Sequence, residues 1–357
     1  MYKKIGVITI NRCLNFGTVL QSYAIKKKLC QICDSSNIEI IDYVNKKING
    51  NDYKLIDFSS IRSILKSVFY IFFKLVKKHR FNRFIKRYIL DSGSITYSKK
   101  TIMNINSHDL YIAGSDQIWN YNITGNDATY FLNFTSSPKA SYASSFGFDD
   151  IFDINKEEYL RYLKDFNEIS LREPIGYDLI FAKIKTPHIH IDPTLLLNEL
   201  EWKKFVKIKN KKYILIYNVL IQNKIYEKAK ILSRQKKIKI IELNGGLLRN
   251  PTFIKKISDS PEDFLSFIAN AEYVFTTSFH GTVFSILFKR RFFAELNCVG
   301  KYNHRVENLL SILGLQDRAI ENFNGDFDKE INWVSVEEKL NIERQKSFDY
   351  LKRITDI

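Results

Sequence analysis

The sequence predicts an α/β protein of two units, and three observations carry that prediction. Short apolar runs alternate with amphipathic stretches of helical spacing along most of the chain. Many of those runs lack the polar alternation of a half-exposed strand and end in polar clusters, as parallel strands covered on both faces do. The length, 357 residues, provides for two cores at about 150 residues per domain. The boundary is expected at residues 207/208, giving an N-terminal unit 1–207 with a basic insertion at 60–90 and a C-terminal unit 208–357.

Hydrophobic residues make up 45% of the chain and charged residues 26%, with only 14 Gly and 6 Pro, which excludes a disordered or fibrous protein. The formal charge of +16 calls for an anionic partner: nucleic acid, an acidic membrane or a phosphorylated substrate. The four cysteines are too few and too irregularly spaced for a disulfide framework, so reduced thiols and a cytoplasmic protein are expected. The Cys30/Cys33 pair has no second pair nearby and predicts no metal or redox site. The start, MYKKIGVITI, reads as a first strand rather than a signal peptide, and no window reaches the ~18 apolar residues of a membrane helix.

Residues 4–10 predict a buried strand, 17–28 a helix and 38–42 the next strand, a βαβ opening whose ligand site lies at the carboxyl ends of its strands. Asn15 and Gly17 fall at that edge, where they either admit a substrate to backbone amides or serve an ordinary turn. Residues 60–90 carry apolar residues at helical spacing and nine Lys or Arg with no acidic residue. They predict one or two basic amphipathic helices, either packed with a solvated face or laid on an anionic membrane. No nucleic-acid-binding motif accompanies the charge, so nucleic acid is not an expected partner.

Strands are predicted at 110–113, 140–144, 169–171 and 188–191, each ending in polar residues on one sheet edge. Ser115 and Asp116 follow the first of these, and Arg172 and Glu173 the third. His188 and His190 share a strand face, but no third ligand is apparent and no metal site is expected. The second unit has strands at 213–217, 238–243, 273–276 and 292–295, with helices at 224–234, 261–270 and 282–288 between them. Helices over 305–313 and 336–352 follow. The stretch YVFTTSFHGTVFSILF predicts a strand, a polar turn over 277–281 and a helix. His280 in that turn would sit where helix amides and a partial positive charge favour an anion. A buried histidine at a capped turn is the alternative.

Taken in order, NFGTVLQSYA, GSDQIWN, SYASSFG, SLRE, DPTLLL, TSFHGTVFSILF and RVENLLSILGLQDR resemble the polysaccharide pyruvyl transferase family over about residues 4–320. The resemblance implies two Rossmann-like domains facing across a cleft, GT-B-like, with the acceptor on the N-terminal side and the donor on the C-terminal side. It implies transfer of a pyruvyl group from phosphoenolpyruvate to a sugar, without a further cofactor. It also implies Arg172 as an anion grip, His280 as acid or base, and added charge from Lys301 and Arg305. Ser278 and Gly281 flank the histidine as binding residues, and Asp116 is the remaining catalytic candidate. One position departs from the family, whose pyruvyl transferases carry arginine where this chain has Ser278. Either Arg305 or Lys301 substitutes for it, or the donor differs. A nucleotide-sugar glycosyltransferase and a non-catalytic glycan-binding protein are therefore the alternatives. The expected partners are phosphoenolpyruvate, a lipid-linked saccharide and an anionic membrane surface.

Overall fold

The computed structural model describes residues 4–34, 37–52, 59–105, 107–147, 151–208, 211–219, 223–243, 250, 252–296 and 304–356. Two compact units divide the chain: Met1–Ile71, Phe81–Leu197 and Glu343–Ile357 form the first, and Phe72–Arg80 and Asn198–Ile342 the second. The main division thus falls at 197/198 rather than 207/208. The C-terminal segment, expected with the second unit, groups with the first.

In the first unit, β1 (Ile5–Ile8) leads through the N-cap Asn15 into α1 (Phe16–Ile32), followed by β2 (Ile38–Ile40), β3 (Asp42–Tyr43), α2 (Lys46–Asp52) and α3 (Ile61–Tyr88). Then come β4 (Thr96–Tyr97), β5 (Leu110–Ala113), α4 (Tyr121–Thr124), β6 (Lys139–Ser141), α5 (Ile151–Leu163), β7 (Ser170–Leu171), α6 (Tyr177–Lys183), β8 (His188–Ile189) and α7 (Pro193–Leu196). The main sheet is parallel in the order β2-β1-β5-β6. Bridges from Ala140 to Glu168 and from Ser144 to Leu171 extend it toward β7 and β8. All four residues of β1 and of β5 are buried, the signature of a sheet covered on both faces. The order reverses between β1 and β5, so the crevice beyond their carboxyl ends is this unit's switch point, where open α/β sheets take ligands.

The second unit begins with α8 (Glu199–Lys203) and continues through β9 (Tyr213–Tyr217), α9 (Lys224–Lys236), β10 (Lys239–Leu243), β11 (Ile254–Lys256) and α10 (Pro261–Ala269). It then runs through β12 (Tyr273–Thr276), α11 (Phe279–Leu287), β13 (Arg291–Ala294) and α12 (His304–Leu313) to the start of α13 (Trp333–Asp356). The sheet is parallel throughout, in the order β11-β10-β9-β12-β13, so its switch point lies between β9 and β12. Ile214, Ile216, Phe275 and Phe293 from the strands pack with Ile225, Ala229 and Leu232 of α9 in one core cluster. Each unit is thus Rossmann-like, with helices following parallel strands.

Candidate active site

At the first switch point, α1 starts just beyond β1 because Asn15 caps it, accepting from the amides of Gly17 at 3.0 Å and Thr18 at 3.3 Å. The Thr18 hydroxyl then donates to Asp116 Oδ2 at 2.5 Å, across the reversal in strand order. Asp116 holds φ at 71°, and Ala143 beyond the neighbouring strand holds 46°. Both lie in the left-handed region that L side chains avoid, at a cost of about 1–3 kcal/mol each, and such strain gathers where a loop must present a side chain. The close approach is kept by Gly114, where a Cβ would come within 2.8 Å of the Thr9 side chain.

Arg172 organises the carboxylates of this edge. Its guanidinium meets Asp192 at 2.9 Å, Glu173 at 3.4 Å and Asp116 at 3.5 Å, and its side chain is only 2% exposed. Burial alone would push the arginine's pKa down, yet Glu173, Asp116 and Asp192 together raise it, so the cation is held firmly. Asp192 also caps α7, accepting from the Thr194 amide at 2.9 Å and the Thr194 hydroxyl at 2.6 Å, while Glu173 accepts from the Ser145 hydroxyl. Ser115 is fully buried, and its hydroxyl donates to the Ala143 carbonyl at 2.7 Å.

At the second switch point, Ser278 is the N-cap of α11 and its hydroxyl accepts from the Gly281 amide at 3.3 Å. The helix therefore begins at Phe279, earlier than the expected 282, and His280 lies in its first turn rather than in a preceding loop. Gly281 is required there because any side chain would run into Thr276. The strand ends are tied together, with Thr277 donating to Asn218 Oδ1 at 3.1 Å and accepting from the Val219 amide at 2.9 Å. His280 is buried and packs edge-to-face on Phe279, with ring centroids 5.2 Å apart. Arg305, from the first turn of α12, places its guanidinium 5.7 Å over the same Phe279 ring. A cation, an imidazole and the positive end of a helix thus converge on one edge of this unit. The neighbouring α9 start is already filled, because the buried Glu295 accepts from the amides of Ile225 at 2.9 Å and Lys224 at 3.3 Å.

The sequence pattern of the polysaccharide pyruvyl transferase family matches residues 15–297, spanning both switch points. The chain belongs to the polysaccharide pyruvyl transferase family. Membership makes it a transferase by class. A comparison with curated proteins gave no match. Among solved structures, the UDP-GlcNAc 2-epimerase of Methanocaldococcus jannaschii is similar at 13% identity and a TM-score of 0.52, over 97% of this chain and 99% of that one. The same enzyme in complex with UDP-GlcNAc and UDP gives a TM-score of 0.51 at 13% identity, over 95% and 98%. A Listeria monocytogenes protein described as a UDP-N-acetylglucosamine 2-epimerase gives 0.52 at 8% identity, over 95% of each chain. At such identities the likeness concerns the fold, which is GT-B-like with two Rossmann-like units.

Within this pyruvyl transferase fold, the residues expected to act fall into two groups. In the first unit Asn15, Gly17, Ser115, Asp116 and Arg172 all lie at or under one sheet edge. There the Ser115 hydroxyl donates to the Ala143 carbonyl and Arg172 pairs with Asp192. In the second unit Ser278, His280, Gly281 and Arg305 come together, and Ser278 is occupied as a cap. Lys301 lies outside the described residues. Sequence reasoning missed Thr18 and Asp192 as members of the first constellation, although both stand inside quoted motifs. Among the described residues, no group of three or more His, Cys, Asp or Glu is arranged to hold a metal ion. His188 pairs instead with Glu168 at 3.4 Å, and His190 with the Ser170 hydroxyl at 2.8 Å.

Proposed function

We propose that this member transfers the pyruvyl group of phosphoenolpyruvate to a sugar of a lipid-linked surface-polysaccharide precursor, at a cytoplasmic membrane surface. The observation that carries this reading is the meeting of His280, Arg305 and the α11 N-terminus in the second unit. In the reaction a sugar hydroxyl adds to C2 of the enol phosphate while the methylene takes up a proton. A second hydroxyl then attacks C2 and phosphate leaves, so the diol becomes a pyruvate ketal. His280 would exchange these protons. Arg305 and the helix end would hold the donor's anionic groups, the charge that Ser278 cannot supply. Asp116, steadied by Thr18 and by Arg172, and the capped Asn15 turn would face the acceptor.

The test is phosphate release from phosphoenolpyruvate with a panel of lipid-linked saccharides. His280→Ala should lower turnover by about 10²–10⁴-fold while leaving the unfolding midpoint close to that of the parent. Folded protein that releases no phosphate with any acceptor would sink the reading. The serine at 278 favours one second reading, a nucleotide-sugar donor. Thermal shift separates the two, since the true donor at about 100 times its Kd should stabilise by about 2.7 kcal/mol.

A further inference from the structure

Helix α3 presents an outward stripe that the proposed chemistry does not use. Val68, Phe72 and Leu75 stand at helical spacings of four and three on one side, 53%, 67% and 45% exposed, and Phe69 beside them is 60% exposed. The same stripe continues through His79, Arg83 and Lys86, all exposed, with Arg87 alongside. One side of the helix is therefore apolar in its middle and cationic toward its C-terminal end. No acidic residue interrupts the 28 residues of α3.

The other side fixes the helix in place. Phe81, Phe84 and Ile85 are buried, with the Phe81 ring 5.2 Å from Phe16 and the Phe84 ring 6.3 Å from Tyr23 of α1. Arg80 pairs with Asp263 at 3.1 Å, so that cation already has its counter-charge. The stripe is thus carried on a helix, packed through its C-terminal part, rather than on a loop.

Large exposed aromatic residues in a row are unusual on a protein surface and mark a contact site. Their complement must accept apolar side chains and carry negative charge within a few ångströms. An anionic bilayer offers both, its acyl boundary to Phe69, Phe72 and Leu75 and its phosphates to His79, Arg83, Lys86 and Arg87. A second copy of this +16 chain would set cation against cation, and nucleic acid offers nothing to the apolar part.

We propose that the outward face of α3 docks the protein on an anionic membrane, with the helix lying in the interfacial plane. Among the described residues no helix is long and apolar enough to cross a bilayer, so the contact is made from one side. The role given to this docking, holding the enzyme beside its acceptor, rests on the lipid-linked reading above. The test contains neither donor nor acceptor, so the two can fail separately.

The full chain is floated with vesicles of phosphatidylglycerol and phosphatidylcholine, and with phosphatidylcholine alone, over a salt series. Binding is expected only to the anionic vesicles. The triple variant Arg83→Gln, Lys86→Gln, Arg87→Gln should bind about 10²-fold more weakly at low salt, at about fivefold per cation, and with a flatter salt dependence. Phe69→Ser with Phe72→Ser should lose the binding that survives high salt. Unfolding midpoints within a few degrees of the parent certify the variants as folded. No partition of the parent into anionic vesicles, or equal partition of parent and both variants, overturns the proposal. A concentration-dependent dimer abolished by Phe72→Ser also overturns it, assigning the face to a second copy.

Discussion

Arg172, expected from the family resemblance to grip an anion, is also a brace in the fold. Its fork is engaged by Asp192, Glu173 and Asp116, buried carboxylates that would repel one another without it. Arg172→Met keeps the bulk but leaves those charges unneutralised, so it should destabilise the chain by about 3–5 kcal/mol in urea unfolding. A change below about 1 kcal/mol, with a raised apparent binding constant for phosphoenolpyruvate, would restore the donor-gripping role. The constellation was only partly legible in the sequence. SLRE, GSDQIWN and DPTLLL stand out as motifs, but their partnership is set by parallel strands far apart in the chain, and spacing along the chain does not encode that. At the second edge the polar run TSFHG reads as a turn. The hydroxyl of Ser278, capping the Gly281 amide, and its carbonyl, accepting from the Thr282 amide, place His280 inside the helix.

Among the elements, those with continuous apolar runs were the legible ones: β1, β5, β9 and β12 are wholly buried. β11 (Ile254–Lys256) escaped notice because it is an edge strand, partly exposed, with two lysines in three residues. The stretch 60–90 resolves into the single helix α3, with neither Gly nor Pro inside it to end the first turns early. A different element carries a pH dependence. Helix α13 docks at the end of β8 through Tyr350, whose ring centroid is 5.3 Å from that of His188 and 4.4 Å from that of His190, the residue after the strand. Burial, and then the charges of His188, Arg353 and Lys346, lower the His190 pKa from 6.5 to about 3. Between those values the unfolded chain binds the proton and the folded chain does not, so stability is lost as pH falls below about 6.5, by at most about 1.4 kcal/mol per pH unit. Burial lowers His188 in the same direction. Urea midpoints from pH 7.5 to pH 5 should drop for the parent and drop less for His190→Gln; equal slopes would refute the assignment.

On the scale of the whole molecule, the feature with the widest reach is the return of Glu343–Ile357 to the first unit. Leu351 and Ile354 are buried, and the Tyr350 hydroxyl donates to the Ser141 carbonyl of β6 at 2.8 Å. Removing residues 343–357 should therefore expose the first unit to protease while the sheet of the second stays protected, as mass mapping of the fragments would report. Proteolysis of the second sheet before the first would contradict this. The same return sets an order of events on the ribosome. Most of the first unit emerges early, yet it waits for its last helix through the synthesis of the entire second unit, about 8–30 s at roughly 5–20 residues per second. During that interval the apolar surface that Leu351 and Ile354 later cover is a natural client for a chaperone, whereas the second unit can close once Ile320 and Phe327 have joined its core.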